Sequence, residues 1–261
     1  MNLTTMTYDI RDRVAHLRFS RPEAANSVTP TFARDLRAAM LAVESDDEVR
    51  AVSVTAEGKV FCAGGDLKEF HAAGAGVAGL AADMLVDFHG AIYKMNRIPK
   101  PVVAGIRGAA GGAGLSLAGA FDLVVASSSA KFTMAYTRAG VTPDGTSSYF
   151  LARHIGLRRM LDLTLTNRVL NAAEAESWGL VNRVVEDDEV DAATAELAQK
   201  LADGPWAVGM AKRVIYQGFE SALEQAGEME AETIFRAMRT VDGQEGIAAF
   251  AEKRTPRFSG S

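Results

Sequence analysis

The chain has 261 residues, a formal net charge of −5 and an apolar fraction of 48%. That length is enough for a sizeable core in one domain with an appendage or in two small domains, and the mild acidity gives no general affinity for nucleic acid or an anionic membrane. Its one cysteine, Cys62, excludes an intrachain disulfide framework and fits a reducing compartment.

The start, Met1-Asn2-Leu3-Thr4-Thr5, has no basic region followed by an apolar run. No stretch approaches the roughly 20 apolar residues of a membrane span, so a soluble cytoplasmic protein is expected. Residues 8–10 and 14–19 predict a hairpin turning at 11–13, in which Leu17 and Phe19 alternate with polar neighbours and His16 lies at the surface. Thr29 or Thr31 is placed to cap a helix whose Phe32, Leu36, Met40 and Val43 share one face. Acidic residues 44–48 read as a surface connection. The β-branched run 51–55 predicts a strand, which leads into the loop Phe61-Cys62-Ala63-Gly64-Gly65-Asp66-Leu67. Asp66 is the expected cap of a helix begun at residues 67–70. Gly74-Ala75-Gly76-Val77-Ala78-Gly79 reads as a flexible loop, either a cover for a ligand or a connection without function. Met84, Leu85, Phe88, Ile92 and Met95 recur at helical spacing, and Pro99 and Pro101 end that helix.

A short buried strand at 101–106 then breaks into Gly108-Ala109-Ala110-Gly111-Gly112-Ala113-Gly114, followed by helix-compatible 115–120. Strands are expected at 122–126 and 131–134, a loop at 136–148 and helical material at 149–164. Beyond Asp187 the segments 190–202, 206–219, 223–238 and 246–253 all have helical apolar spacing. Strands alternating with helices give an α/β core.

The two strand-to-glycine loops carry the chemistry. A strand that breaks into glycine and opens a helix leaves free N–H groups where negative charge is favoured, and small residues let a substrate lie against the backbone. One such run is most simply a tight turn packed for steric reasons. Two of them, each aiming an N–H at one oxygen, make an oxyanion hole suited to a thioester whose carbonyl becomes an enolate. Cys62 reads as a small loop residue, since no histidine lies near it in sequence. His71, His89 and His154 have no metal-ligand spacing, so no metal is expected. No Gly-x-Gly-x-x-Gly follows a strand in a dinucleotide-binding context.

The residues Arg21-Pro22-Glu23-Ala24-Ala25-Asn26-Ser27, both loops, Trp178-Gly179-Leu180-Val181 and the tail Phe250-Ala251-Glu252-Lys253-Arg254 occur in an order that resembles the crotonase (enoyl-CoA hydratase/isomerase) superfamily over nearly the whole chain. The resemblance implies a spiral of strand–strand–helix repeats over residues 1–200. A helical region, 201–261, would pack at a trimer interface, giving a homotrimer or a hexamer. It implies an acyl-CoA thioester substrate, with no cofactor beyond the coenzyme A of that substrate, and no nucleic acid or membrane partner. The oxyanion donors would be the amides of Gly65 and Ala113. Substrate contacts would come from Ala63, Asp66, Leu67, Lys68, Gly112, Ser116, Tyr136 and Lys253, with the two lysines suited to coenzyme A phosphates.

Hydratases of that family use two glutamates, at the positions where this chain has Ser116 and Tyr136. Serine is no carboxylate base, and a tyrosine with a pKa near ~10 is a poor one. Asp144 matches the aspartate that moves protons in dienoyl-CoA and epoxyphenylacetyl-CoA isomerases. The segments 131–136 and 140–144 are worded like the latter. Against this, Pro-Asp-Gly is a common turn in which Asp bonds its own backbone. Ser116 would orient substrate or cap its helix, and Tyr136 would line the acyl pocket or donate a hydrogen bond. The expected function is an acyl-CoA isomerase using Asp144, Gly65 and Ala113. The alternatives are a hydratase with atypical residues, a non-catalytic acyl-CoA-binding homologue, and a peptidase using Ser116, for which no histidine is placed.

Overall fold

The computed structural model describes residues 2–260. Strands β1 (Met6–Arg11) and β2 (Val14–Phe19) form the expected hairpin. Helix α1 (Pro30–Ser45) follows. The Thr29 hydroxyl caps it by accepting from the Phe32 amide at 3.1 Å, and Phe32, Leu36, Met40 and Val43 are buried. Three units then repeat one order. They are β3 (Ala51–Ala56), β4 (Val60–Cys62), α2 (Leu67–Ala72) and α3 (Val77–Arg97); β5 (Val102–Ile106), β6 (Ala109–Gly111) and α4 (Ala113–Ala120); and β7 (Leu123–Ser127), β8 (Lys131–Thr133), α5 (Ser147–Ile155) and α6 (Leu157–Thr166). The chain continues through β9 (Leu170–Asn171), α7 (Ala172–Ser177), β10 (Arg183–Val185), α8 (Val190–Ala202), α9 (Ala207–Glu220), α10 (Leu223–Arg239) and α11 (Val241–Glu252).

Each unit places its first strand in one sheet and its second in another. The larger sheet runs β1-β2-β3-β5-β7-β10 and the smaller β4-β6-β8-β9. The pairs β3–β5, β5–β7, β4–β6 and β6–β8 are parallel, which is the strand–strand–helix spiral the resemblance implied. The parallel strands β3, β5 and β7 of the larger sheet are buried on both faces, as parallel strands usually are, while the antiparallel edge strand β1 is largely exposed. Leu17, Val52, Val54, Ala104 and Val124 join the main core with α1 and α3, while Val14, Ala51, Val103 and Val125 lie under α8. Helix α8 ends at Ala202, two residues past the division expected at 200/201.

Two expectations are corrected. Residues 74–79 are not a loop: Gly74–Gly76 make a 3-10 turn, and Val77, Ala78 and Gly79 form the first turn of α3. The helical material expected at 149–164 is present as two helices, interrupted at Gly156 with φ +83°. One helical stretch, Gly74–Arg97, is long and apolar enough to cross a membrane by length and composition, contrary to the expectation that none approaches this. Its Met84, Phe88, Ala91, Ile92 and Met95 are buried, and it packs on α1 with ion pairs Arg37–Asp87 and Lys94–Glu44 at 2.7 and 2.6 Å.

Helix α9 is fastened to the core by a buried pair. Lys212 Nζ lies 2.8 Å from Asp122 Oδ2 and also donates to the carbonyls of Met95 and Lys100. The Tyr216 hydroxyl and the Val102 amide donate to the same carboxylate at 3.0 and 2.7 Å. Burial pushes the Asp122 carboxyl up and the Lys212 ammonium down, each opposed by the other's charge. Lys212→Met leaves that carboxylate without its partner. It is expected to cost about 3–5 kcal/mol of stability, read as a lower urea midpoint at unchanged slope.

Candidate active site

Parallel pairing of β4 with β6 brings the two glycine loops side by side, one leaving Cys62 and the other leaving Gly111. Their backbones touch. A Cβ on Gly64 (φ +107°) would stand 2.9 Å from the Gly111 carbonyl oxygen, and one on Gly112 (φ +49°) would stand 3.6 Å from Gly64 Cα. Only glycine meets both the dihedral and the approach at Gly64. The first loop is pinned to Val28, whose amide donates to the Gly64 carbonyl at 2.8 Å and whose carbonyl accepts from Asp66 at 3.0 Å. The second is pinned by the Gly112 amide donating to the Thr133 carbonyl at 3.0 Å. Between these pins, the amides of Gly65 and Ala113 have no acceptor among the described residues. Ala113 is the first residue of α4, whose entire length is buried, so its N–H is an orphan of the helix start. Two fixed donors on adjoining loops are the arrangement that holds a developing oxyanion.

Asp66 beside the first loop is occupied. Its Oδ1 accepts from the Lys68 and Glu69 amides at 3.1 and 3.2 Å, capping α2, and its Oδ2 accepts from the Ser27 hydroxyl at 3.0 Å. Burial raises this carboxyl, but those donors outweigh it and hold it below the usual range. Ala63, Leu67 and Lys68 are exposed beside it. Lys253 is not gathered with them: it caps the C-terminus of α11, exposed, on a helix that packs against α10. The Cys62 thiol is buried and pushed up to about 12, so it is no ready nucleophile.

Asp144 sits where three elements meet. The Tyr136 hydroxyl, on the turn after β8, donates to Asp144 Oδ1 at 2.5 Å. Ser116, fully buried in α4, lies 2.9 Å from the Tyr136 hydroxyl, to which it donates once Tyr136 has given its own proton to Asp144, and its Oγ is also 3.0 Å from the Asp144 carbonyl oxygen. The turn is closed by main chain, the Asp144 carbonyl accepting from the Ser147 amide and hydroxyl at 3.2 and 2.9 Å. Its carboxylate is thus free of the self-bonded turn that Pro-Asp-Gly allows. Burial pushes the Asp144 carboxyl above the usual range, opposed by the Tyr136 hydrogen bond and the nearby His89. Burial first, and then the Asp144 charge, push the Tyr136 phenol up as well, so it remains a donor.

His89 is the residue the sequence did not place. Its Nε2 accepts from the Gly145 amide at 3.2 Å, which sets the imidazole beside the Asp144 turn. Only the packing of α3 against α4 brings these distant positions together, and no local spacing signals it.

Residues 9–261 match the Enoyl-CoA hydratase/isomerase family. The chain is 33% identical over 251 residues to 1,2-epoxyphenylacetyl-CoA isomerase of Escherichia coli, covering 95% of each chain. It is 35% identical over 250 residues to 4-chlorobenzoyl coenzyme A dehalogenase-2 of an Arthrobacter species, covering 93% of this chain and 88% of that one. The crystal structure of an enoyl-CoA hydratase from Polaromonas sp. JS666 superposes with a TM-score of 0.92 at 33% identity, covering 97% of this chain and 99% of that one.

Proposed function

This chain belongs to the enoyl-CoA hydratase/isomerase (crotonase) family, and on that footing we propose that it is an acyl-CoA isomerase acting on unsaturated or aryl-acetyl CoA thioesters. The observation that carries this reading is the Asp144 carboxylate, bonded by the Tyr136 hydroxyl, which Ser116 contacts in turn, where hydration would call for glutamates at positions 116 and 136. The thioester oxygen sits between the amides of Gly65 and Ala113, which meet the negative charge as the enolate forms. Asp144 takes a proton from one carbon and returns it to another, so the chemistry balances without water or a cofactor beyond the substrate's own coenzyme A. Its raised pKa suits a group that must act as base and then as acid. Lys68 and Lys253 meet coenzyme A phosphates. The exposed Phe219, Leu223, Ile234, Phe235 and Phe250 of α9, α10 and α11 support a trimer or hexamer in which the tail lysine reaches a neighbour's ligand. The buried, unpaired Cys62 is in keeping with a reducing cytoplasmic setting.

The relative named as a dehalogenase favours a second reading, given that Asp144 lies beside His89. The carboxylate would attack a halogen-bearing ring carbon, with chloride leaving, and water would then hydrolyse the aryl ester and restore Asp144. Incubation with 3-enoyl-CoA in deuterated buffer separates these readings. Isomerisation with deuterium entering the acyl chain is the expected result. Chloride release from 4-chlorobenzoyl-CoA, or net hydration of 2-enoyl-CoA, would replace it. Tight binding with no exchange would mark a non-catalytic homologue.

A further inference from the structure

The family resemblance makes Tyr136 and Ser116 substrate contacts, yet their hydroxyls are engaged with Asp144 and its turn. Tyr136 is 8% exposed and Ser116 not at all. The Tyr136 hydroxyl spends its proton on Asp144 Oδ1 at 2.5 Å and has Ser116 Oγ at 2.9 Å. Ser116 in turn reaches the Asp144 carbonyl at 3.0 Å and the carbonyl of Gly112, the residue before Ala113, at 3.3 Å. Among the described residues Asp144 Oδ2 has no hydrogen-bond partner, whereas Oδ1 and the main-chain carbonyl are both taken. We propose that Tyr136 is a positioning residue which commits Asp144 to reacting through Oδ2 alone, with Ser116 tying that hold to the loop that carries the Ala113 amide. The inference rests on the isomerase reading for its chemistry, but not for the hold itself.

The ionisable groups that face Asp144 are Tyr136 from the turn after β8 and His89 from α3; α4 and α5 contribute only the uncharged Ser116 and Ser147. A hydrogen bond donated by Tyr136 favours the carboxylate over the acid. Removing it therefore raises the pKa of Asp144 and moves the acid limb of the rate profile to higher pH. For a hydrogen bond to a charged group the shift should be about one to two pH units. A phenol that only filled space would lower the rate evenly at every pH and leave the limb where it was.

The test uses Tyr136→Phe, which keeps the ring, with Ser116→Ala beside it. The pH profile of kcat/KM for 3-enoyl-CoA is measured for each. In parallel, the Asp144 carboxyl of aspartate-labelled protein is titrated by carbon NMR, assigned by its loss in Asp144→Asn. The expected result is an upward displacement in both readouts for Tyr136→Phe, and a smaller one in the same direction for Ser116→Ala. Unchanged titration in Tyr136→Phe that melts like the wild type overturns the proposal, as does a uniform rate loss with a fixed acid limb. If Asp144→Asn retains full turnover, the isomerase reading fails and the NMR titration alone decides whether the hold exists. If Tyr136→Phe does not fold, Ser116→Ala carries the test, and an unmoved carboxyl there overturns the coupling.

Discussion

On the proposed isomerase reading, Asp144→Asn is expected to lower turnover by about three orders of magnitude while leaving acyl-CoA affinity nearly unchanged, because it would remove the proton-carrying group and little of the binding surface. The substitution is close to isosteric, and an asparagine oxygen still accepts from the Tyr136 hydroxyl, so the turn held by Ser147 and His89 persists. It has a second expected consequence, in stability. Burial raises the folded-state pKa of Asp144 above the usual carboxylate value. A group with a raised folded pKa stabilises the fold in its protonated form, and that contribution is lost as pH climbs through the folded value. Above its folded pKa the wild type therefore holds an ionised carboxylate at a cost, and Asp144→Asn does not. Thermal unfolding from pH 4 to pH 8 should find the variant at least as stable as the wild type at neutral pH, with the gap closing toward acid. A functional group held against its own preference is the usual form of a stability–activity trade-off. Turnover within about tenfold of wild type would place the base elsewhere, since positioned proton transfer contributes more than that. A variant clearly less stable at pH 8 would mean that the ionised carboxylate is itself an anchor of the loop.

Local patterns were enough for the frame of this molecule. The hairpin, α1 with its threonine cap, the strands near 51–55 and 102–106 and the helices of the last third all follow from apolar periodicity and capping residues. The second strands of the first two units were harder to see than that of the third, which was expected at 131–134. Val60–Cys62 and Ala109–Gly111 are three residues long and merge into glycine loops, so neither offers a period to count. They become strands because the spiral stacks them on one another. Residues 74–79 misled in the opposite direction: glycine at an exposed helix start costs roughly 1 kcal/mol per residue, which the buried remainder of α3 offsets. The site was legible as loops and as a lone aspartate, but not as a network. Asp144 bonding to Tyr136 spans eight positions, Gly145 to His89 spans 56 and Asp122 to Tyr216 spans 94. No periodic signal crosses such separations; only the packing of α3, α4 and α9 around the sheets creates them. The same distance is why the sequence left two options for each of Tyr136, lining the acyl pocket or donating a hydrogen bond, and Ser116, orienting substrate or capping its helix. Their hydroxyl partners are defined by where α4 lies against the turn after β8, and the sequence gives their chemical types but not their directions.

Ala113→Pro should reduce turnover by about 10²–10³-fold, the usual loss when one oxyanion donor is removed. The position allows an unusually clean deletion of an N–H. Ala113 is the first residue of α4, where proline's fixed φ fits and where the missing amide breaks no bond of the helix ladder. The preceding residue is glycine, which relaxes the constraint proline puts on its neighbour. Gly65, the other donor, offers no such opening, because a side-chain carbon there would stand 2.9 Å from the Phe70 ring. The proline ring adds bulk where the amide hydrogen was, so loss of charge stabilisation has to be separated from obstruction. Ala113→Gly keeps the amide and is expected to stay within about tenfold of wild type, its cost being the roughly 1 kcal/mol of added backbone freedom. A coenzyme A thioether, which lacks the carbonyl, supplies the second control. If the amide holds an oxyanion, Ala113→Pro binds the thioether as the wild type does but loses turnover on the thioester. Weakened binding of both ligands would point to blockage. Full turnover in Ala113→Pro would remove Ala113 from the oxyanion hole, leaving Gly65 to act with some other donor.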